Sequence, residues 1–248
     1  MARLSCKTWI LAFVLTAAAI LVLHAFWKDD ALNSGLQSED ELRQAYLLAV
    51  EDARTAEESE VCHNLTAITD SNRNLIWLDG PGGRLVLAVT WTSWDGYLNK
   101  MSMNLSKEAW VTIAPQIKEF IAENKIAGPE CVLRLEQLLG LPPHNGKKWL
   151  VEMWVNPKDL FRPSPDAEID DSEAQLDFPE NAGLEHRLWF DALKNASYGP
   201  GGYPWTRLGY TYDWGGLEGE AGLSEFVVRK DAEVRINKVY STVEYCAA

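Results

Sequence analysis

The stretch "GYPWTRLGYTYDWGG", residues 202–216, holds five aromatic side chains beside Arg207 and Asp213. Such a segment either stacks a flat ligand or folds its rings inward onto a core. In an extended chain Tyr210 and Tyr212 share a face with Leu208, while Thr211 and Asp213 point the other way. That spacing suits one aromatic row packed on a core, its hydroxyls reaching an edge. Upstream, "DAEIDDSEAQLD" spaces carboxylates at Asp166, Glu168 and Asp170, then Asp171, Glu173 and Asp177, as an oxygen-ligated cation requires. The EF-hand frame fails, because Asp171 and Asp177 stand where it needs glycine and glutamate, so the run reads as a solvated acidic loop. His63, His144 and His186 are scattered and the cysteines isolated, which gives no zinc spacing. No metal is assigned. Covalent catalysis has no motif either: there is no Gly-x-Ser-x-Gly elbow, and in a strand Cys62 and His63 point to opposite faces.

Three pieces in chain order, "DLFRPSPD", the aromatic segment and "GLSEFVVRKDAEVRI", resemble the ADP-ribosyltransferase-like fold and its NAD-glycohydrolase toxin relatives over residues 149–239. The resemblance implies that Arg162 holds a dinucleotide and that Tyr210 or Tyr212 stacks nicotinamide, with Trp205 in the same ligand-binding segment. It implies that Glu225 is the catalytic carboxylate at the ribose. The chemistry is coherent, since a guanidinium pairs bidentately with pyrophosphate and a carboxylate stabilises an oxocarbenium-like transition state. The family's Ser-Thr-Ser segment has no counterpart beyond Thr206 or Thr211. Leu223 stands where arginine-modifying transferases carry an acid, so NAD hydrolysis or another target is implied before arginine modification. NAD enters here as substrate, and no resident cofactor is assigned. The leading reading is blander: a membrane-anchored extracytoplasmic domain that binds a ligand or partner without catalysis. There Arg162 pairs with Asp159 or Asp166, and Glu225 is an ordinary strand-edge residue.

Compartment follows from the N-terminus. Between Trp9 and Trp27 only Thr16 and His24 are polar, and this length of helix spans about 28 Å, close to the thickness of a bilayer core. Arg3 and Lys7 precede the span, Asp29 and Asp30 follow it, and tryptophans mark both interfaces. These features predict a single-pass signal anchor with a cytoplasmic N-terminus and everything after Lys28 extracytoplasmic. A cleaved signal peptide is the rival; its small-residue site, Ala17-Ala18-Ala19, would leave an apolar mature end. All 36 acidic residues lie after Lys28, within a net charge of −13. That field repels phosphate backbones and excludes nucleic acid as a partner. Cys62, Cys131 and Cys246 follow the span, so at most one internal disulfide forms. Cys62 with Cys246 is preferred because domain termini tend to lie close. The sequons at Asn64, Asn104 and Asn195 do not decide the host.

The elements that must position these residues are legible in part. Residues 1–28 are tail and anchor, 29–60 a linker and stalk helix, and 61–248 one α+β domain with an antiparallel-rich sheet and several helices. Ser38 and Glu41 form a capping box ahead of the stripe Leu42, Tyr46, Ala49, Val50 and Ala53, a helix that is a stalk or packs along the domain. Leu75–Leu78 and Arg84–Thr92 flank a Gly-Pro-Gly-Gly turn as a hairpin, with Leu85, Leu87, Val89 and Trp91 on one face. Pro115 and Pro129 each open a helix. In "KWLVEMWV" Trp149, Val151, Met153 and Val155 share one side of a strand. A further helix covers Leu184–Lys194. The chain closes with "LSEFVVR" and "EVRINKVYSTVEY" as a strand pair about residues 230–232.

Overall fold

The computed structural model describes residues 38–80, 82–217 and 219–247. The apolar span 9–27 lies outside them; among the described residues no helix is long and apolar enough to cross a membrane. The chain divides into Met1–Gln44 and Ala45–Ala248. Of the first unit, Ser38–Gln44 is described: it opens helix α1 (Glu39–Asp52), where Ser38 N donates to Glu41 Oε2 at 2.7 Å and Glu41 N to Ser38 Oγ at 3.3 Å. From Ala45 the helix belongs to the second unit. There Tyr46, Val50 and Ala53 pack with Tyr198, Tyr212 and Trp214.

The second unit is a mixed α+β domain built on an antiparallel sheet. Its strands are β1 (Trp77–Gly80), β2 (Gly83–Thr92), β3 (Ser102–Asn104), β4 (Ala109–Ile113), β5 (Trp149–Val155), β6 (Leu160–Phe161), β9 (Phe226–Val228) and β10 (Glu233–Ser241). They run in the order β3-β10-β5-β2-β4-β9-β6. β1 pairs with the start of β2, Trp77 opposite Val86, and β4 takes over that edge at Ala88 and Val89. A small ladder of β7 (Tyr210–Tyr212) and β8 (Ala221–Ser224) stands apart. The other α-helices among the described residues are α2 (Gln116–Glu123), α3 (Glu130–Leu138), α4 (Leu184–Ser197) and α5 (Thr242–Cys246).

Period-two alternation explains why both faces of the sheet are apolar. Val86 and Ala88 of β2, Val151, Met153 and Val155 of β5, and Phe226 and Val228 of β9 bury one face against Ile68, Leu75, Tyr97 and Leu105. Leu87, Val89 and Trp91 point the other way and pack with Leu150 beneath α2, α3 and α5. Each large aliphatic side chain buried there contributes about 1.5–3 kcal/mol. The β2 alternation and the Val151-Met153-Val155 face match the sequence pattern.

Two expectations are corrected. The last two strands do not pair with each other: β9 lies between β4 and β6, and β10 between β3 and β5. The chain between them is tied instead to the β3–β4 connection, with Leu105 N donating to Ala232 O at 3.0 Å and Asp231 N to Leu105 O at 2.8 Å. β10 stops at Ser241, where Ser241 and Glu244 form a capping box and start α5. That helix carries Cys246 over the helical face of the sheet, where it is disulfide-bonded to Cys131 of α3 with their Cα atoms 6.1 Å apart. Cys62 is therefore not its partner. Cys62 keeps a free thiol, which donates to Asn64 Oδ1 at 2.7 Å beside a different cluster around Leu65 and Tyr210.

Candidate functional site

A cavity of about 360 Å³ opens on the helical face of the sheet, at the end away from β10. Its floor is β2 and β4: Val89 and Trp91 of one, Trp110 and Thr112 of the other. The register pairs Val89 with Thr112, and alternation then turns Trp110 and Thr112 to the same side. The chain leaving α3 forms one wall. Just past the helix's C-cap Leu139 comes Gly140, whose φ of +61° an L side chain rarely adopts; a Cβ there would also press on Tyr212 O at 3.3 Å. Leu193 and Ser197 of α4 and the Tyr203-Pro204-Trp205 turn form the opposite wall. Trp110 stacks on Trp189 of α4 (centroids 6.4 Å apart), which stacks on His186 (5.6 Å), so the indole wall is braced from behind. Tyr203, 50% exposed, stands where the cavity meets solvent.

Glu225 enters this space from the bend between β8 and β9. Its backbone is fixed, because Glu225 N donates to Gly209 O at 2.9 Å. Its carboxyl group has neither a hydrogen-bond donor nor a cation partner among the described residues, and burial alone pushes it up to about 8. At neutral pH it is mostly the neutral acid, able to donate or to accept. Lys147 lines the same cavity; its Nζ donates to Trp91 O at 2.9 Å, and burial lowers its basicity. Lys147 makes no ion pair with Glu225; its Nζ is held by the Trp91 carbonyl. Thr112, 4% exposed, has an Oγ1 without a partner. Thr211 is satisfied: its hydroxyl donates to Leu138 O at 2.6 Å and accepts from Leu223 N at 2.9 Å.

No family model, no curated protein and no solved structure matches this chain. Function has to be argued from the site.

Of the residues expected at a ligand site, the structure brings Trp205, Tyr212 and Glu225 to the cavity. Arg162 and Tyr210 are elsewhere. Arg162 is fully buried and its guanidinium lies over the Phe226 ring, 5.9 Å from the centroid. Phe226 follows Glu225 directly and packs on the opposite face of the sheet. Arg162 pairs with Asp171, not with Asp159 or Asp166, and donates to Glu173 O at 2.7 Å and Asp171 O at 2.8 Å. It holds the acidic loop onto the domain. Gly209 permits this, as a Cβ there would sit 2.5 Å from Arg162 Cδ. Asp166 is buried as well, with Ser164 Oγ donating to its carboxylate, so part of the loop read as solvated is interior.

The aromatic stretch divides its labour. Tyr210 is buried, and its hydroxyl donates to Glu60 O at 3.0 Å and reaches Glu220 Oε1 at 3.3 Å. Tyr212 puts its ring at the cavity and its hydroxyl on Asp52 Oδ2 at 2.8 Å. Arg207 donates to the carbonyls of Ala53 and Arg54 at the end of α1. Asp213 pairs with Arg134, and Trp214 Nε1 donates to Leu141 O at 2.9 Å. Around the two tyrosine hydroxyls Asp52, Glu60 and Glu220 gather carboxylate oxygens within 4.8 Å of one another, a set able to hold a cation. Burial, then Glu60 and Asp52, push Glu220 up to about 7. Lys147, Thr112 and Trp110 were not legible as site residues. Each sits in an ordinary strand or loop sequence, and only the β2–β4 pairing and the return of the chain after α3 bring them together.

Proposed function

We propose that this chain is a membrane-anchored, extracytoplasmic binding domain that takes a small organic molecule into the cavity beside Glu225. One observation supports the reading above the rest: a desolvated carboxyl group without a partner faces an aromatic-walled space of ligand size. Buried charges that serve only the fold have partners, and pockets with a few convergent polar groups on apolar walls are the usual form of small-molecule sites. The anchor rests on the apolar span 9–27 and the charges flanking it.

The NAD-consuming alternative keeps Glu225, Tyr212 and Trp205 at one cavity. It lacks a phosphate clamp, because Arg162 is committed to Asp171 and to two carbonyls on the other side of the strand. A panel of aromatic and aliphatic small molecules, with NAD among them, decides between the two when full-length protein is followed by thermal shift and by nicotinamide release. Saturable stabilisation by a panel member without nicotinamide release is expected. Nicotinamide release that Glu225→Gln abolishes would establish the enzyme, and a melting temperature unmoved by any compound would sink the binding reading.

A further inference from the structure

We infer that the cavity's ligand is an organic cation, a protonated amine on a flat apolar body, whose nitrogen pairs with Glu225 while its body lies against the indole rings. The inference rests on the binding reading above and names its ligand class.

Four observations carry it. The Glu225 carboxyl group faces the cavity with no donor from the protein, so the missing partner must come from the ligand. Thr112 Oγ1, buried on the same face of β4, is likewise without a partner and supplies a second acceptor for an N–H. Trp91, Trp110, Trp205, Tyr203 and Tyr212 line the space, and their ring faces attract a cation through the quadrupole of the π system. The chain's net charge of −13 raises the local concentration of cations and lowers that of anions.

The one opposing group is Lys147. Its Nζ is tied to the carbonyl of Trp91 rather than presented to Glu225, so it bounds the site on one side. An ammonium seated at Glu225 therefore meets an anion, a hydroxyl oxygen and ring faces. A carboxylate seated there would meet a half-buried acid with no compensating cation. Among the described residues the titratable groups facing the cavity are Glu225, Lys147, Tyr203 and Tyr212.

Three probes with one indole body test the inference: tryptamine as the cation, tryptophol as the neutral isostere and indole-3-acetate as the anion. Each is titrated calorimetrically into full-length protein at pH 7 in buffers of different ionisation enthalpy. Tryptamine is expected to bind at least about tenfold more tightly than tryptophol, on the scale of a hydrogen bond to a charged group, and indole-3-acetate most weakly. Tryptamine alone should release close to one proton per site, because pairing with an ammonium ionises a carboxyl group that is protonated in the free protein. Glu225→Gln should remove the tryptamine preference over tryptophol and the proton release. If that variant does not fold, the affinity ratio and proton release of the native protein decide alone. Tryptophol or indole-3-acetate binding as tightly as tryptamine would overturn the cationic class and leave the binding reading standing. If no probe binds saturably, both fall.

Discussion

The helical side of the domain holds carboxylates in two settings, and the protein treats them differently. At the β5–β10 end Glu152, 5% exposed, accepts from Lys118 Nζ and from Asn237 Nδ2, each at 2.8 Å. On α3 Glu136, 2% exposed, accepts from Asn145 N and Nδ2. At the β4–β9 end Glu225 has no such partner. Of the three, Glu225 is the one whose carboxyl group has no hydrogen-bond donor among the described residues. The first end behaves as interior, with every charge matched from within the chain. The second behaves as half of an interface. A fold that supplies donors for Glu152 and Glu136 but not for Glu225 leaves the third donor to come from outside.

The largest expected effect belongs to the end that is complete. Cys131–Cys246 closes a loop across a sequence separation of 115 residues, and such a crosslink restricts the unfolded chain by about 4–5 kcal/mol in the chain-entropy model, with strain reducing the observed value. Replacing both cysteines by serine should lower the unfolding free energy by about 3–5 kcal/mol in urea titration. The same protein with dithiothreitol should match the variant. A reduced protein as stable as the oxidised one would mean that α3 and α5 are held by packing alone.

Next comes the matched charge. Glu152→Ala strands Lys118 Nζ and the Asn237 amide beside the buried strand, and should cost about 2–3 kcal/mol. Lys118 is partly solvated, which keeps the figure below that of a fully interior pair. A variant as stable as the native protein would erase the contrast between the two ends.

The difference between the ends also explains what could be seen in the sequence. The interior end is made of long periodic elements. β2 and β5 alternate cleanly, and α2 and α3 each follow a proline, so their existence and facing are local properties. The cavity end is assembled from pieces too short to show a period. β4 contributes Trp110 and Thr112, β9 is three residues long, and Lys147 lies in a loop. Only non-local pairing places them. The same limit produced the mistaken strand pair. "LSEFVVR" and "EVRINKVY" carry the alternation of a hairpin, but the Leu105–Ala232 bonds that separate them involve a residue over a hundred positions away. Closeness of termini, the ground for pairing Cys62 with Cys246, says nothing of a terminal helix turning back over α3. Glu225 was legible only through a resemblance whose arginine the fold places on the opposite face.

Glu225→Gln should act in the reverse direction to Glu152→Ala. A carboxyl group held up to about 8 in the folded chain stays protonated after the unfolded chain has ionised, so the native state binds more protons between about pH 4.5 and 8. Stability therefore falls as pH rises through that window, and Glu220, raised to about 7, adds a slope of the same sign. The variant should equal the native protein near pH 4.5 and exceed it by about 1–2 kcal/mol at pH 8, with a shallower pH dependence. A native protein more stable at pH 8 than at pH 5, with the variant following it, would show that Glu225 has a partner in solution.

The smallest effects compare two threonines of the cavity wall. Thr211 and Thr112 are 5% and 4% exposed, and valine matches the shape of both. Thr211 Oγ1 bridges Leu138 O and Leu223 N where the β7–β8 register shifts, so its loss unpairs a strand amide and a helix-end carbonyl. Thr211→Val should cost about 1–2 kcal/mol. Thr112 Oγ1 is buried with no partner, and exchanging a desolvated hydroxyl for a methyl removes a penalty. Thr112→Val should be neutral or stabilising by about 0.5 kcal/mol in thermal melts without ligand. Because this variant should fold at least as well as the native chain, any weakening of tryptamine binding that accompanies it reports the hydroxyl's contact with the ligand. A Thr112→Val variant less stable than Thr211→Val would mean that ordered water already satisfies Thr112, and that this end of the sheet is closed in the same way as the other.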